Sequence, residues 1–430
     1  MNGLSRLARR FVLMLGGEIT QSAFHFGINI VLARSLSPHD YGRFAILFLV
    51  GGLALTYIRS LAGVPATITI PAHAGRRAAR GFDVTFGSVA VVLSAAIAAG
   101  VCGTLMATSD INAVAGSLFV GLWSLRSYLR LALFAKHRPA ISGLGDIVFA
   151  LSGTALTLGM IHFQGAPSLD ETLFCLAFAN GLGIVASLAL LREPVRLSLG
   201  RSVRRRYGAL IPTLSWSLIN VTTANVQGQG QSLLVAAIAG PAAYAPMAAT
   251  FVLFSPLRLS ASALINMVQP EVAGHLARGN FRLARRFALI CSGLLGLGCI
   301  AYGAIILSTL ELIEHRLFAG QFVGAPMMLI AVAAWAIVTV SLIHAPMRVL
   351  METMQEFRPL AILAGVSVGV GAVTVVGLLL IAQPAWSLFG VLISEVVVLV
   401  GCLWMLKPWR SFRPLMPIDH PRDVEVGMSR

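Results

Sequence analysis

Apolar segments long enough to cross a bilayer recur along almost the whole chain. A helix needs about 20 apolar residues to span roughly 30 Å of hydrocarbon, and twelve such segments alternate here with short polar connections. Only 11% of the 430 residues are charged, against about 25% in soluble domains. The pattern predicts an all-α integral membrane protein, and it excludes a water-soluble globular fold.

The predicted transmembrane helices are defined by these apolar segments. They cover approximately 11 to 33, 41 to 64, 84 to 106, 113 to 134, 141 to 163, 172 to 191, 209 to 238, 244 to 268, 285 to 310, 325 to 347, 359 to 382 and 385 to 406. The first segment follows three arginines but is too long for a signal peptide and lacks a small-residue cleavage site. We therefore expect it to be a retained helix.

Basic residues collect in alternate connections, which predicts the orientation of the chain. Most of the 32 lysines and arginines lie near the N-terminus, in the even-numbered connections or in the C-terminal tail. The odd-numbered connections are short and have few basic residues, and Asp110, Asp170, Glu171, Glu311 and Glu314 lie there. Because cytoplasmic connections of membrane proteins are enriched in basic residues, both termini are predicted to be cytoplasmic.

Two short patterns occur once in each half of the chain. The connection after the first span has Pro38 and Tyr41 in a Pro-x-x-Tyr pattern, and the connection after the seventh has Pro241 and Tyr244 in the same pattern. An Arg-Pro pair also follows both the fourth and the tenth span. Parallel repeats of six helices place a pseudo-two-fold axis along the membrane normal. We therefore predict two pseudo-symmetric six-helix lobes, 1–205 and 206–406, followed by a tail over 407–430 that is expected to be disordered.

The segment Leu32-Ala33-Arg34-Ser35-Leu36-Ser37-Pro38-His39-Asp40-Tyr41-Gly42 resembles a signature of bacterial polysaccharide biosynthesis flippases. The segment Leu317-Phe318-Ala319-Gly320-Gln321-Phe322 is similar to another segment of that family. This family belongs to the superfamily of multidrug, oligosaccharidyl-lipid and polysaccharide exporters. The second-half connection departs from the signature, because it has alanines where the first has His39 and Asp40.

The resemblance implies a cargo and a mechanism. The expected activity is movement of an undecaprenyl-pyrophosphate-linked oligosaccharide from the cytoplasmic to the periplasmic leaflet by alternating access, as in O-antigen or exopolysaccharide production. Partners of the same pathway would be glycosyltransferases and a polysaccharide polymerase. No cofactor or nucleic acid is expected. The resemblance identifies neither the sugar nor the coupling ion.

Basic side chains inside the spans are the candidate substrate-binding residues. Intramembrane charges usually face a bundle interior or a cavity, and guanidinium groups bind phosphate in a bidentate manner. We expect a cavity that binds pyrophosphate through Arg59, Arg126, Arg130 and Arg258. Two alternatives stay open at this level. The arginines could form structural ion pairs, and Arg130 and Arg348 could reach toward the headgroups.

Polar stripes at helical spacing are the candidate cavity lining. The first span carries such a stripe and the seventh carries its counterpart, and the tenth adds a histidine and an arginine four residues apart. The predicted lining residues are Glu18, Ser22, His25, Asn29, Asn220, Gln227, His344 and Arg348. Stripes of this kind also hold transmembrane helices together through hydrogen bonds.

Glu18 and Glu395 are the acidic candidates for ion coupling, because a desolvated carboxyl group can take up a proton. Either could instead be a fixed partner of an arginine. The five cysteines lie in apolar segments without metal-ligand spacing. They predict neither a metal site nor a disulfide framework.

Two other functions compete with the flippase. A proton- or sodium-coupled exporter of small cationic molecules would need an acidic cavity, which the intramembrane arginines disfavour. A membrane glycosyltransferase or polymerase could use Asp40 as an acid or base, but the external connections are too short to hold an acceptor, and Asp40 is better explained as a turn residue. The chain is therefore predicted not to be an enzyme.

Overall fold

The computed structural model describes residues 3–72, 76–136, 138–165, 167–193, 196–354 and 356–406. Helices account for almost all of them. The first seven are α1 (Gly3–Ser35), α2 (Pro38–Ile58), α3 (Val64–Ala72), α4 (Arg76–Thr108), α5 (Ala113–Ala135), α6 (Pro139–Gln164) and α7 (Leu169–Leu191). The others are α8 (Arg201–Asn225), α9 (Gln231–Ala239), α10 (Pro241–Leu253), α11 (Ser255–Ala277), α12 (Phe281–Ser308), α13 (Leu310–Arg316), α14 (Met327–Thr353), α15 (Phe357–Ile381) and α16 (Ser387–Met405).

The helices begin where the sequence has residues that satisfy free backbone N–H groups. Proline occupies the first helical position of α2, α6 and α10, where its missing N–H is not needed. Ser168 and Glu171 form a reciprocal capping box at the start of α7. At α2 the Ser37 hydroxyl accepts a hydrogen bond from the Asp40 N–H (3.1 Å) and donates one to the Asp40 carboxylate (2.8 Å). Asp40 is therefore part of a helix cap, as its turn interpretation predicts.

The observed helices follow the predicted spans closely. Nine helical stretches of the described chain are long and apolar enough to cross a membrane, and a tenth is formed by α10 with the first part of α11, which meet at 46°. The two remaining predicted spans correspond to α1 and to the continuous stretch from α8 to α9. The membrane-protein class and the all-helical fold are thus confirmed, and twelve crossings are consistent with the helices present.

The bundle has two ends that differ in their connections. The end with the basic connections, which follow α3, α5, α7, α11 and α14, is named the basic end. The other, the short-loop end, has the brief connections after α1, α4, α6, α9, α12 and α15. At the basic end the Lys136 ammonium contacts Asp83 at 2.8 Å and Glu193 at 3.1 Å. Burial lowers the pKa of Lys136, but the hydrogen bonds to these carboxylates outweigh it, and the net shift is upward.

The largest apolar core of the described chain joins the two halves at the short-loop end. One cluster combines residues of α1–α7, such as Leu32 and Phe44, with residues of α9–α16, such as Met247 and Phe322. Toward the basic end the core divides. One cluster there contains residues of α2–α5 together with Tyr207 and Leu210 of α8, and another contains only residues of α11–α16. Toward the basic end the first half, together with α8, and the rest of the second half therefore have separate cores, and the space between these two cores is called the cleft.

Two π-helical turns interrupt membrane-crossing stretches. Arg59–Gly63 links α2 to α3, and Val226–Gly230 links α8 to α9. Turns of this kind carry one extra residue per turn and are frequent at functional sites. The division into six-helix lobes stays a prediction, and the tail over 407–430 lies outside the described residues.

Candidate functional site

The two Pro-x-x-Tyr patterns meet at the short-loop end. Gly42 of α2 contacts the backbone of Pro241, where a Cβ on the glycine would overlap the Pro241 carbonyl group. The neighbouring Tyr41 and Tyr244 are both buried, and the Tyr41 ring lies 6.2 Å from that of Phe322. This packing closes the short-loop end around the duplicated motif.

The connection before α14 adds polar contacts to the same closure. Gln321 donates a hydrogen bond to the Arg34 carbonyl oxygen (3.3 Å), and the Arg34 guanidinium donates one to the carbonyl oxygen of Arg316 (3.5 Å). Both segments that carry the family resemblance therefore lie at one contact between the halves.

A buried ion-pair cluster lies within the first half. The Arg126 Nη1 group of α5 donates to Asp146 Oδ1 of α6 at 2.6 Å, and its Nε donates to Asn180 Oδ1 of α7 at 2.9 Å. Arg130 Nε lies 3.1 Å from Asp146 Oδ2. The Phe149 ring covers the Arg126 guanidinium at 3.8 Å from the ring centroid. Three residues from α6 and α7, namely Asp146, Phe149 and Asn180, thus contact the Arg126 guanidinium.

Helix α1 is tied to this cluster through its polar stripe. Arg130 Nη1 donates to Gln21 Oε1 at 2.9 Å, and Gln21 Nε2 lies 3.4 Å from His25 Nε2. The Asn29 amide donates to the His25 carbonyl oxygen at 2.7 Å and is buried. Ser22 is half-buried. Gln21, beside the stripe, therefore links α1 to α5, and the His25 ring lies 5.8 Å from the Phe149 ring of α6.

The structure corrects the prediction of an open cavity around Arg126. Only 4% of this residue is exposed, because Asp146 and Asn180 lie at the same depth on adjacent helices and satisfy its guanidinium. Arg130 is half-buried and shares Asp146. Of the roles left open for Arg126 and Arg130, the structure shows the structural ion pair, with Asp146 as the shared partner.

Arg59 and Arg258 have different surroundings, because both are exposed. Arg59 is the first residue of the π-helical turn after α2, and it lies on the same helix face as Phe48, eleven positions earlier. The Phe48 ring is 5.3 Å from the His25 ring of α1. Arg258, near the start of α11, stacks 5.8 Å from the Phe251 ring and interacts electrostatically with Glu395 and Tyr244. Arg258 is thus an accessible cation beside the interior of the second half.

A second buried polar cluster lies in the second half. His344 Nε2 of α14 is 2.7 Å from Glu395 Oε2 of α16, and both side chains are at most 10% exposed. The residue before Glu395, Ser394, accepts a hydrogen bond from Gln231 (2.7 Å), and its hydroxyl lies 2.7 Å from the Ser367 hydroxyl. The predicted lining residue His344 and the predicted coupling residue Glu395 are therefore partners.

The other predicted residues lie on α8, on the π-helical turn that follows it and on α14. Asn220 of α8 is exposed, Gln227 in the following π-helical turn is buried, and Arg348 of α14 is half-buried. The side chain of Glu18 lies outside the described residues. Among the described side chains, no group of histidines, cysteines and carboxylates is placed to hold a metal ion.

Three important residues were missed from the sequence. Asp146 and Asn180 complete the first-half cluster, and Gln231 joins α9 to the second-half cluster. Asp146 had a usable signal, because it is a carboxylate inside a predicted span. The two amides had none, because isolated amides are common in membrane helices that pack through hydrogen bonds.

Solved transporter structures share this fold. The chain matches an inward-facing multidrug resistance MATE family transporter of the MOP superfamily, with a TM-score of 0.66 and 12% identity over 89% of this chain and 93% of the other. An outward-facing structure of such a transporter gives 0.55 with 14% identity, over 93% and 94%.

A third similar structure is a MOP superfamily transporter from Pyrococcus furiosus, described as having a binding pocket of reverse polarity. It gives a TM-score of 0.54 with 13% identity, over 93% of this chain and 94% of the other. No protein-family model and no curated protein sequence matches the chain. The chain is therefore a multi-pass membrane protein with the fold of the MATE transporters of the MOP superfamily.

Proposed function

We propose that the protein is a flippase that moves an undecaprenyl-pyrophosphate-linked oligosaccharide across the bacterial inner membrane by alternating access. The observation that supports the proposal is a bundle joined by one apolar core at the short-loop end but divided into separate cores toward the basic end, with Arg59 and Arg258 exposed. With the basic end in the cytoplasm, as the positive-inside rule requires, this is the state that loads substrate from inside. The TM-score is higher with the inward-facing neighbour (0.66) than with the outward-facing one (0.55), which supports an inward-open state.

The cleft has the chemistry that a phosphorylated lipid headgroup needs. A pyrophosphate cannot enter hydrocarbon unaided, because desolvation of a charge costs many kcal/mol. Arg258 and Arg59 offer accessible guanidinium groups. Thr213 and Asn220 offer exposed hydrogen-bonding groups on α8, suited to sugar hydroxyls. Since Arg126 is already satisfied by Asp146, we assign it to holding the first half together.

Outward movement of an anion needs no ATP under this proposal. An inside-negative potential favours export of each negative charge by about 2.3 kcal/mol per 100 mV. Glycosyltransferases that assemble the oligosaccharide and a polymerase that consumes it are the proposed partners. The product would be an exopolysaccharide or an O-antigen.

A second candidate is a proton- or sodium-coupled exporter of small molecules, and the His344–Glu395 pair favours it. A buried carboxylate beside an imidazole can exchange a proton, and Arg258 interacts electrostatically with Glu395. The multidrug transporters among the structural neighbours have the same fold. The accessible arginines weigh against cationic substrates, because like charges repel.

Replacement of Arg258 by Ala is the test of the proposed function. We expect a roughly 10- to 100-fold loss of flipping, because a hydrogen bond to a charged group contributes about 1.5–3 kcal/mol. Arg258→Lys should retain part of the rate, since the charge remains but the bidentate geometry is lost. The measurement is transfer of an undecaprenyl-pyrophosphate-linked oligosaccharide between the leaflets of proteoliposomes.

Arg278→Ala is the matched control, because Arg278 is also exposed and its hydrogen bonds, among the described residues, go to Gly274 and His275 at the end of its own helix. It should flip lipid at the wild-type rate. Unchanged flipping in Arg258→Ala would contradict the assigned role of the cleft. Ion-driven efflux of small cations by vesicles that do not flip the lipid would support the exporter instead.

A further inference from the structure

The connection from α7 into α8 is strongly basic. Positions 192–206 contain six arginines and one acidic residue, Glu193. The Glu193 carboxylate lies 3.1 Å from the Lys136 ammonium, so it already has a cationic partner. Four of the arginines are exposed and take part in none of the ion pairs seen in the described part of the chain, namely Arg196, Arg201, Arg204 and Arg205. The connection therefore presents a concentrated positive charge to its surroundings.

Residues 196–200 lie against the outer face of α4. The Ser198 N–H donates a hydrogen bond to Ser88 Oγ at 2.9 Å. Ser88 shares one face of α4 with Val92 and Ala95, four and seven positions further along. Both of these apolar residues are exposed, and such a face on a membrane-crossing helix suits lipid, because lipid tails are themselves apolar. Residues 196–200 thus cover the beginning of a lipid-facing surface.

Two leucines of this connection are exposed at the depth of the membrane margin. Ser88 lies inside the apolar stretch Ala79–Thr108, about 13 Å from its beginning along the helix axis. Leu197 and Leu199, on either side of the bonded Ser198, are 53% and 62% exposed. Exposed apolar side chains at this level suit the boundary between headgroups and acyl chains. The connection therefore combines an apolar anchor with flanking positive charge.

The first turns of α8 direct arginines away from the bundle. Val203 is 5% exposed, and Tyr207 donates a hydrogen bond to the Leu61 carbonyl oxygen, so this face packs on the protein. Arg201 and Arg205 lie four positions apart on the opposite face. Like charges at this spacing repel each other, and an anion beside them relieves that repulsion. Guanidinium groups also bind phosphate through two parallel hydrogen bonds.

We propose that residues 196–205 are a docking site for anionic phospholipids of the leaflet at the basic end, with Leu197 and Leu199 among the acyl chains and the guanidinium groups on the headgroup phosphates. Arginine side chains are long enough to reach headgroups from a deeper backbone. Basic clusters next to apolar side chains are typical of segments that bind anionic leaflets. The site lies on the outer surface of α4, which favours a bulk lipid over a transported substrate. It does not depend on the proposed flippase function.

Lipid binding to the purified full chain tests the site. Dioctanoyl phosphatidylglycerol and dioctanoyl phosphatidylcholine are titrated separately into the detergent-solubilised protein, and native mass spectrometry measures the apparent affinity for each. We expect about 10-fold tighter binding of the phosphatidylglycerol, since each basic residue near an anionic lipid surface favours binding several-fold. The variant with Arg201→Gln, Arg204→Gln and Arg205→Gln should lose most of this preference. Circular dichroism first shows that each variant keeps the wild-type helix content.

The matched control removes the same charge elsewhere at the basic end. Arg278, Arg282 and Arg286 are also exposed, and their combined replacement by Gln should leave the preference for phosphatidylglycerol unchanged. An equal loss in both triple variants would mean that net charge alone attracts the lipid, and the docking site would be wrong. Absence of any preference in the wild type would also overturn it.

Two further measurements test the parts of the site. Leu197→Ser combined with Leu199→Ser should weaken the binding of both lipids similarly, because it removes apolar contact and no charge; unchanged binding would contradict the acyl-chain contact. Undecaprenyl pyrophosphate should displace phosphatidylglycerol no better than another anionic phospholipid does. Displacement at much lower concentration would make the segment a substrate site and would overturn the phospholipid assignment, whereas the flippase proposal would stand.

Discussion

Asp146→Ala is expected to lower the free energy of unfolding by about 3–5 kcal/mol, the usual cost of removing one partner from a buried ion pair. The effect should be large because Asp146 contacts two guanidinium groups, and the nearer one belongs to Arg126, which is 4% exposed. Without the carboxylate, the guanidinium of Arg126 would lose its charged partner in a low-dielectric interior. Chemical or thermal unfolding of the detergent-solubilised protein measures the loss.

Asp110→Ala provides the matched control. Asp110 also pairs with an arginine, Arg43 at 3.3 Å, but its side chain is 95% exposed. Exposed ion pairs contribute about 0–1 kcal/mol, so this variant should unfold almost like the wild type. If Asp146→Ala were as stable as Asp110→Ala, the first-half cluster would not have the stabilising role assigned to it.

Gly42→Val is expected to open the short-loop end. The added side chain would overlap the Pro241 carbonyl group, which is backbone and cannot move to another rotamer. Overpacking of this kind costs about 1–3 kcal/mol, enough to raise the population of the open state on the order of 10-fold. Thiol labelling of Ala245→Cys, in a chain whose five native cysteines are replaced, measures the opening because Ala245 is fully buried there.

Gly52→Val separates the contact from the loss of a helical glycine. Gly52 lies on the same helix, but no heavy atom lies within 4 Å of the position its Cβ would take. Its labelling rate should equal that of the unmodified background. Equal rates in the Gly42→Val and Gly52→Val variants would show that the duplicated motif does not hold this end closed.

The arginines of the two halves have different environments, and we expect the two halves to have different roles in transport. Arg126 and Arg130 are held by Asp146 inside the first half, whereas Arg258 is accessible beside the second half. A half that carries its charges as internal ion pairs can move as a rigid unit. Binding of an anion at Arg258 would then change the balance of charge around Glu395, which interacts with it electrostatically.

Residue chemistry alone identified some residues that contact one another. His344 and Glu395, both candidates from the sequence, are partners, and Arg126 and Arg130 share Asp146. The sequence could not distinguish Arg126 from Arg258, because both are isolated arginines in apolar helices. Their difference depends on whether a carboxylate from another helix lies at the same depth, and that is a property of packing.

Composition and periodicity alone determined that this chain is a bundle of membrane-crossing helices, because the bilayer imposes segment length and apolar character on every span. They also revealed the repeated Pro-x-x-Tyr pattern. Only the tertiary structure decided that the two copies touch and that Asp146 satisfies Arg126. Such contacts join residues far apart in the chain, and local sequence carries no record of which helix faces will meet.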